Sequence, residues 1–450
     1  MKLNIDFGEK LRPIGRQNGT NNGPLMCFTD RTKEFRDMGV SCVRFHETHS
    51  YNTKCIEVPF IFRDFDADEN DEKNYFFAET DAVIRTAVEA GGIEIIYRLG
   101  MGTEGTEPKI FTAVPKDFAK WARIAEHIVK HYNEGWANGF HYNIRYWEIW
   151  NEANLRGYWP SDDTDSYGDF YAVVSRHLKK TCPKILVGCT GWSRLAITCP
   201  DDYSQALFEQ QKPRHDAIVN HTLELVKQGK AILDFFSWHT YSPLSVNTER
   251  VMQGILEKLG EFGLEKTELV NTEWASFHLK KHFVNGKIVG ARWDFTQPYI
   301  FDRAVSLIGS LIVMQHYGNA MAAYYDADER SKFCGLFDFD GTPKYQYYSL
   351  KSWKPLLEAG TEVFSSGETE TLRVCAAAGN GKKVILLSNE GEAARLTLAL
   401  AGVPAGTKYT VRLFDPDRAF APWKKGSVSP TARLGFTLPA QSAALVEIEE

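Results

Sequence analysis

Along residues 11–360 the chain alternates short apolar runs with longer amphipathic ones. The short runs have strand length and are apolar almost throughout, as strands buried on both faces should be, while the longer ones repeat their apolar positions with helical period. Strands are predicted over 11–17, 41–46, 93–99, 145–151, 185–191, 232–241, 268–274 and 320–327; helices between them include 115–132, 165–180, 247–262 and 299–317. Such alternation implies an α/β fold with a parallel sheet, and eight pairs in about 350 residues is the size of a (β/α)8 TIM barrel with enlarged loops. A doubly wound open sheet is the alternative. Against it, no glycine-rich loop follows the first strand, and polar residues collect at the ends of several strands instead of one crevice.

After residue 360 the texture changes. TLRVCAAAG, KKVILLSNEG, ARLTLAL, KYTVRLFDPD and SAALVEIEE are short alternating runs joined by Gly, Asn, Pro and Asp turns, the pattern of an antiparallel β-sandwich. The expected division is a barrel over 1–358 and an accessory β-sandwich over 359–450. Residues 1–6 form a strand that could pair with the second domain and tie the two ends of the chain together.

Composition narrows the partners. A 450-residue chain that is 43% hydrophobic and 24% charged can bury a large core. Net charge of -6 and a pI near 6.1 leave no electrostatic footprint for nucleic acid or an anionic membrane. No window approaches a membrane span. The opening MKLNIDFGEKLRPIG lacks a charged start followed by an apolar run; the expectation is a cytoplasmic protein, with a trimmed secreted or periplasmic chain left open, as is homo-oligomerisation.

The eight cysteines (27, 42, 55, 182, 189, 199, 334 and 375) show no CxxC spacing. Cys182, Cys189 and Cys199 are close enough to raise a disulfide, but free buried thiols are expected. The acidic run RDFDADENDEK at 63–73 fails the EF-hand pattern, because counting from Asp64 its sixth and twelfth positions hold Glu69 and Tyr75. His46-Glu47-Thr48-His49 has the wrong spacing for a zincin helix. No metal or cofactor is expected.

The candidate chemistry lies at two strand ends. RYWEIWNEAN (145–154) stops a dense apolar run at Asn151 and Glu152, and TELVNTEWAS (267–276) ends at Glu273. Alternate residues of a barrel strand face inward. By that parity Arg44 and His46, His239 and Tyr241, and Asn271 and Glu273 converge with Glu152 on the carboxyl-terminal mouth. Paired carboxyls there suit cleavage of a glycosidic bond, in which one acid protonates the leaving oxygen and, in the retaining route, the other attacks the anomeric carbon. The pair would stand about 5 Å apart, against roughly 6.5–9.5 Å where a water must fit between. The acid's pKa is expected to rise among aromatic walls, and the nucleophile to stay charged with Arg44 and Tyr241 as donors. Glu148, a rival carboxylate, is expected to pair with Arg98 or Arg145 inside the barrel.

VRFH (43–46), WEIWNEAN (147–154), SWHTY (237–241) and NTEWA (271–275) together resemble glycoside hydrolase family 39, a clan A barrel family of β-xylosidases and α-L-iduronidases. The resemblance implies Glu152 as general acid/base, Glu273 as nucleophile, Asn151 as a ligand of the sugar hydroxyl beside the reacting carbon, and His239 and Tyr241 as supports lining the cleft. Arg44, His46, Trp159, Trp274, Tyr325 and Phe337 complete the expected substrate contacts, on an oligosaccharide or glycoside. Three positions depart from the family: Glu47 where Gly commonly follows the His, Ala153 where Pro is usual, and an eighth strand, AYYDADER, without its tryptophan. A catalytically inactive sugar-binding barrel and a transglycosylase using the same two carboxylates are the rival readings.

Overall fold

The computed structural model describes residues 1–26, 29–48, 54–102, 113–193, 195, 202–276, 279–285, 287–293, 299–328 and 334–449. Eight parallel strands close into a barrel: β1 (Arg16–Asn21), β2 (Cys42–Phe45), β3 (Glu94–Leu99), β4 (Tyr146–Ile149), β5 (Leu186–Gly188), β6 (Phe235–Tyr241), β7 (Glu268–Ala275) and β8 (Asn319–Tyr324). Each pairs with its neighbour in chain order, and β8 returns to β1.

Strands β2 to β8 fall on the apolar runs that predict them. The first does not: the strand expected over 11–17 splits, with Lys2–Pro13 leaving for another sheet and β1 beginning at Arg16. The reason is chemical. β1 reads RQNGTN, yet Gln17, Asn18, Thr20 and Asn21 are fully buried, so their amides must be paired inside the protein. Asn18 Nδ2 donates to Gly39 O at 2.9 Å, and Asn21 Nδ2 to Thr272 O and Ala323 O at 2.9 Å each. Gly19 supplies the close approach, since a Cβ there would lie 2.1 Å from Cys42 Sγ.

The helices cover the barrel. Phe118–Asn133 starts where the Asp117 side chain accepts from Lys120 N–H at 2.9 Å and buries a stripe from Trp121 to Tyr132. Phe301–His316 is apolar nearly all round and buried on every side. It needs two partners and has them: the barrel on one flank and, on the other, strands Leu372–Gly379, Lys382–Asn389 and Ser442–Ile448.

Those strands belong to a nine-stranded sheet ordered Arg418–Ser427, Lys408–Asp415, Ser442–Ile448, Lys382–Asn389, Leu372–Gly379, Thr361–Ser366, Lys2–Pro13, Ala394–Ala401 and Arg433–Leu438. Residues from both ends of this order share one core, including Leu3, Val374, Ile385, Leu398, Val411 and Leu434, so the sheet folds over on itself as a sandwich does. It is antiparallel except where Lys2–Pro13 runs parallel to Ala394–Ala401. The amino terminus is thereby built into the second sheet.

Cys42, Cys55, Cys182, Cys189, Cys334 and Cys375 are free and buried; Cys27 and Cys199, and the Cys199 half of any disulfide, lie outside the described residues, as does His49. In the acidic segment, Asp64, Asp68 and Asp71 accept from backbone N–H groups two residues on. Glu69 is held by Arg123 at 2.6 Å and Lys120 at 3.3 Å. Among the described residues no helix is long and apolar enough to cross a membrane.

Candidate active site

The turn leaving β4 is anchored to the segment after β5. Glu152 N–H donates to Thr190 O at 2.6 Å, Ala153 N–H to Thr190 Oγ1 at 3.0 Å, and Asn154 Nδ2 to Ser193 O at 2.6 Å. These bonds hold Trp150 and Glu152 at φ of 74° and 43°, a left-handed conformation that costs a residue with a Cβ about 1–3 kcal/mol. With that backbone, consecutive residues both reach the mouth: Asn151 meets Arg44, and Glu152 meets His239. Gly191, at φ 65°, makes room, since a Cβ would sit 2.2 Å from His239 Nε2.

Strand β7 breaks parity by a different device. Asn271 pairs with Trp238 and Glu273 with His239, leaving Thr272 as an extra residue in a β-bulge. Thr272 and Glu273 therefore both face the interior, while the Asn271 amide lies against Met314 of the outer helix. The expected inward parity of Asn271 is corrected on this ground.

Glu152 and Glu273, both buried, present carboxyl oxygens within 4.8 Å of each other and of a ring nitrogen of His239. His239 Nδ1 is 2.9 Å from Glu152 Oε1 and 3.7 Å from Glu273 Oε2. Donors converge on Glu273: Tyr241 Oη at 2.5 Å, Arg44 Nη1 at 3.1 Å and His46 Nε2 at 3.5 Å. Arg98 Nε donates to His46 Nδ1 at 3.1 Å, so a neutral His46 carries its proton on Nε2, toward Glu273. Burial, with the charges of Arg44 and Arg98, holds His46 well below the usual imidazole range. For Glu273, burial pushes the carboxyl up; Glu152 adds to this, and His239, Arg44 and the Tyr241 hydroxyl pull the other way. Burial and Glu273 together raise Tyr241, which keeps its phenolic proton and donates it.

The rival carboxylate Glu148 lies beneath this pair. Its partners are not Arg98 or Arg145 but Arg44, at 2.6 Å, with Thr272 Oγ1 at 2.7 Å and Ser237 Oγ. Arg98 is taken by Glu57 in a two-pronged pair at 2.7 and 2.9 Å, and Arg145 by Glu94 at the surface. Arg44 thus spans Glu148, Asn21, Asn151 and Glu273. Its bond from Nη2 to Asn151 Oδ1, 2.7 Å, occupies the amide oxygen and leaves the amide nitrogen for a ligand.

Of the expected aromatic contacts, Tyr325 alone stands at this constellation. Its ring lies 6.1 Å from His46 and 6.4 Å from Tyr241, and its hydroxyl is 3.3 Å from Glu47 Oε2. Trp159, Trp274 and Phe337 are core residues without open faces. Trp159 packs among Trp150, Tyr167 and Phe170, Trp274 on Tyr324, and Phe337 on Tyr347 and under Arg31. Their placement as sugar contacts is corrected accordingly.

Thr272, Glu148, Asn21 and Arg98, not singled out as site residues from sequence, complete the support, with Tyr158, whose phenol is raised by burial and by Glu152. The neighbouring departure Glu47 pairs with Lys54 at 3.2 Å. The donor atoms of Glu152, His239 and Glu273 could also meet on a cation, but the Arg44 guanidinium already supplies positive charge to Glu273.

The family model "Glycosyl hydrolases family 39" matches residues 30–277, more than half of the chain, which includes Arg44, His46, Glu152, His239, Tyr241 and Glu273. A β-xylosidase of Geobacillus stearothermophilus is 34% identical over 76 residues, covering 16% of this chain, and one of Caldicellulosiruptor saccharolyticus is 22% identical over 205 residues, covering 42%. The matched regions are 14% and 40% of those relatives' lengths. Among solved structures, a glucosidase from Croceicoccus marinus aligns with TM-score 0.74 at 18% identity, over 100% of this chain and 99% of that one. The GH39 enzyme from Xanthomonas axonopodis pv. citri aligns with TM-score 0.68 at 18% identity, over 100% and 97%. At these identities the structural likeness is one of fold.

Proposed function

The chain belongs to the glycosyl hydrolases of family 39, and from that premise we propose that it is a retaining glycosidase that removes a terminal neutral sugar, with β-xylosides as the first substrates to try. The observation that carries the mechanism is the carboxyl separation. One oxygen of Glu152 lies within 4.8 Å of one of Glu273, which supports the roughly 5–5.5 Å carboxyl spacing of a double displacement over the roughly 6.5–9.5 Å that seats an attacking water.

Glu273 is the nucleophile and Glu152 the acid/base in this reading. Hydrogen-bond accounting supports the division. Thr272 Oγ1 gives its proton to Glu148, so it accepts from His239 Nε2–H at 3.1 Å. With a neutral ring the other nitrogen then accepts, and its 2.9 Å contact with Glu152 Oε1 supports a protonated Glu152 as the acid. Glu273 instead receives three donors, the setting of a carboxylate.

In the first step Glu273 bonds to the anomeric carbon as the glycosidic bond breaks, and the leaving oxygen takes the Glu152 proton. In the second, Glu152 accepts a proton from water, whose oxygen attacks the anomeric carbon and frees Glu273. Arg44, His46 and Tyr241 hold the nucleophile's charge and direction, and Asn151 Nδ2 meets the hydroxyl next to the reacting carbon. The β-xyloside preference is supported by the names of the two curated relatives, and the neutrality by the carboxylates Glu47, Glu152 and Glu273 around the cleft.

Proton NMR of a nitrophenyl β-xyloside digest tests this reading. The first-formed sugar is expected as the β-anomer; the α-anomer would overturn the retaining mechanism, and turnover confined to other glycosides in a nitrophenyl panel would overturn the sugar assignment.

A further inference from the structure

A second cluster of ligating groups lies far from the mouth, at the seam between the barrel and the nine-stranded sheet. His316 ends helix Phe301–His316, Glu362 lies on strand Thr361–Ser366, and Cys375 on strand Leu372–Gly379. One donor atom from each falls within 4.8 Å of the other two. His316 Nε2 is 3.5 Å from Glu362 Oε1, while Nδ1, on the opposite side of the ring, is 3.4 Å from Glu368 Oε2.

The surroundings orient these donors toward one point. The second oxygen of Glu362 is occupied by Gln315 Nε2 at 2.8 Å and Arg12 Nε at 3.4 Å, which leaves Oε1 to face the imidazole. Cys375 is fully buried and its sulfur has no hydrogen-bond partner among the described residues. The sulfurs of Cys42, Cys55 and Cys189, by contrast, reach backbone carbonyls, and that of Cys182 a threonine hydroxyl. A buried thiol within 4.8 Å of an imidazole nitrogen and a carboxylate oxygen is an unpartnered ligand.

We infer that this seam holds one Zn²⁺ ion, bound by His316 Nε2, Glu362 Oε1 and Cys375 Sγ, with Glu368 on Nδ1 fixing the ring. Nitrogen, oxygen and sulfur donors suit zinc, and with zinc bond lengths of about 2.0–2.3 Å a tetrahedral centre spaces its ligands about 3.3–3.8 Å apart. The 3.5 Å between Nε2 and Oε1 already matches this spacing. A carboxylate on the far ring nitrogen of a ligating histidine is the support such ligands usually have. On binding, the Cys375 thiol releases its proton to solvent, and thiolate plus carboxylate balance the ion's charge. The half-buried edge of His316 leaves a fourth position for water. The ion would cross-link the helix that leads into β8 to two strands of the sheet, independently of the reading of the mouth.

The test uses the full-length protein stripped with a chelator and titrated with Zn²⁺ alone. One equivalent is expected to bind and to raise the melting temperature, Cys375→Ser to abolish that uptake, and Glu368→Gln to weaken it about 10- to 100-fold. Because Cys375→Ser could disturb the core, the unaltered protein is also loaded with Co²⁺, where a thiolate-to-cobalt charge-transfer band is expected. No uptake, equal uptake by Cys375→Ser, or cobalt binding without a thiolate band would each overturn the inference.

Discussion

The Tyr241 hydroxyl donates to Glu273 Oε1 at 2.5 Å, joining the last residue of β6 to the proposed nucleophile on β7. This bond favours the ionised carboxylate, against the burial that pushes Glu273 up. Glu273 must be ionised to attack, so activity should fall as pH drops through its elevated pKa, placing the acid limb of kcat/KM above the ordinary carboxylate range. Tyr241→Phe removes a stabiliser of the charged form. The limb should move further up, and kcat/KM at its optimum should drop about 10- to 100-fold for a charged hydrogen bond of about 1.5–3 kcal/mol. A pH–rate profile checks both, and an unmoved limb speaks against the role of Tyr241.

Glu152→Ala separates acid catalysis from nucleophilic attack. A general acid contributes about 10²–10⁴-fold where the leaving group needs a proton. The variant should lose that factor on a xylobiose-like substrate and far less on a dinitrophenyl xyloside, whose phenolate leaves unaided. Equal losses on both would remove Glu152 from the proton-transfer step.

Beneath the pair, Glu148 compensates a fully buried Arg44 at 2.6 Å. Glu148→Ala should leave that guanidinium with one acidic partner fewer and destabilise the fold by about 3–5 kcal/mol. Urea denaturation measures this, and a loss under about 1 kcal/mol would mean that Glu273 and the two asparagines suffice for Arg44.

At the barrel–sheet seam Glu390 accepts from Ser245 N–H at 3.1 Å, and burial raises its carboxyl above the ordinary value of 4.5. The folded state then holds this proton more tightly than the unfolded chain. Its contribution to stability is complete below the unfolded pKa and is lost as pH rises through the folded one. Glu390→Gln, which keeps an acceptor for Ser245, should therefore gain stability relative to the parent between about pH 4.5 and about pH 8. Denaturation at both values reads the difference, and a constant offset would contradict the shift.

Strands buried on both faces were legible as apolar runs, and so were the two places where such a run stops at a glutamate. β1 was hidden because its six residues solve burial with paired amides in place of apolar side chains. Parity located Arg44, His46, His239 and Tyr241, but it presumes a regular ladder. It could not anticipate the bulge that turns Thr272 and Glu273 to one side and Asn271 to the other. Trp159, Trp274 and Phe337 misled for another reason: a ring that fills a core and a ring that stacks on a sugar are the same letter, and only burial tells them apart. The seam ligands at 316, 362 and 375 follow no motif spacing and meet only when two sheets share one helix.

The most direct measurement is to trap the covalent step. A 2-deoxy-2-fluoro xyloside with a dinitrophenyl leaving group should inactivate the protein with release of one equivalent of phenolate, and peptide mass spectrometry should find the fluorosugar on Glu273. Label on Glu152 or on another residue, or steady turnover of a matched unmodified xyloside with no label at any concentration of the fluorosugar, would contradict Glu273 as the nucleophile of a double displacement.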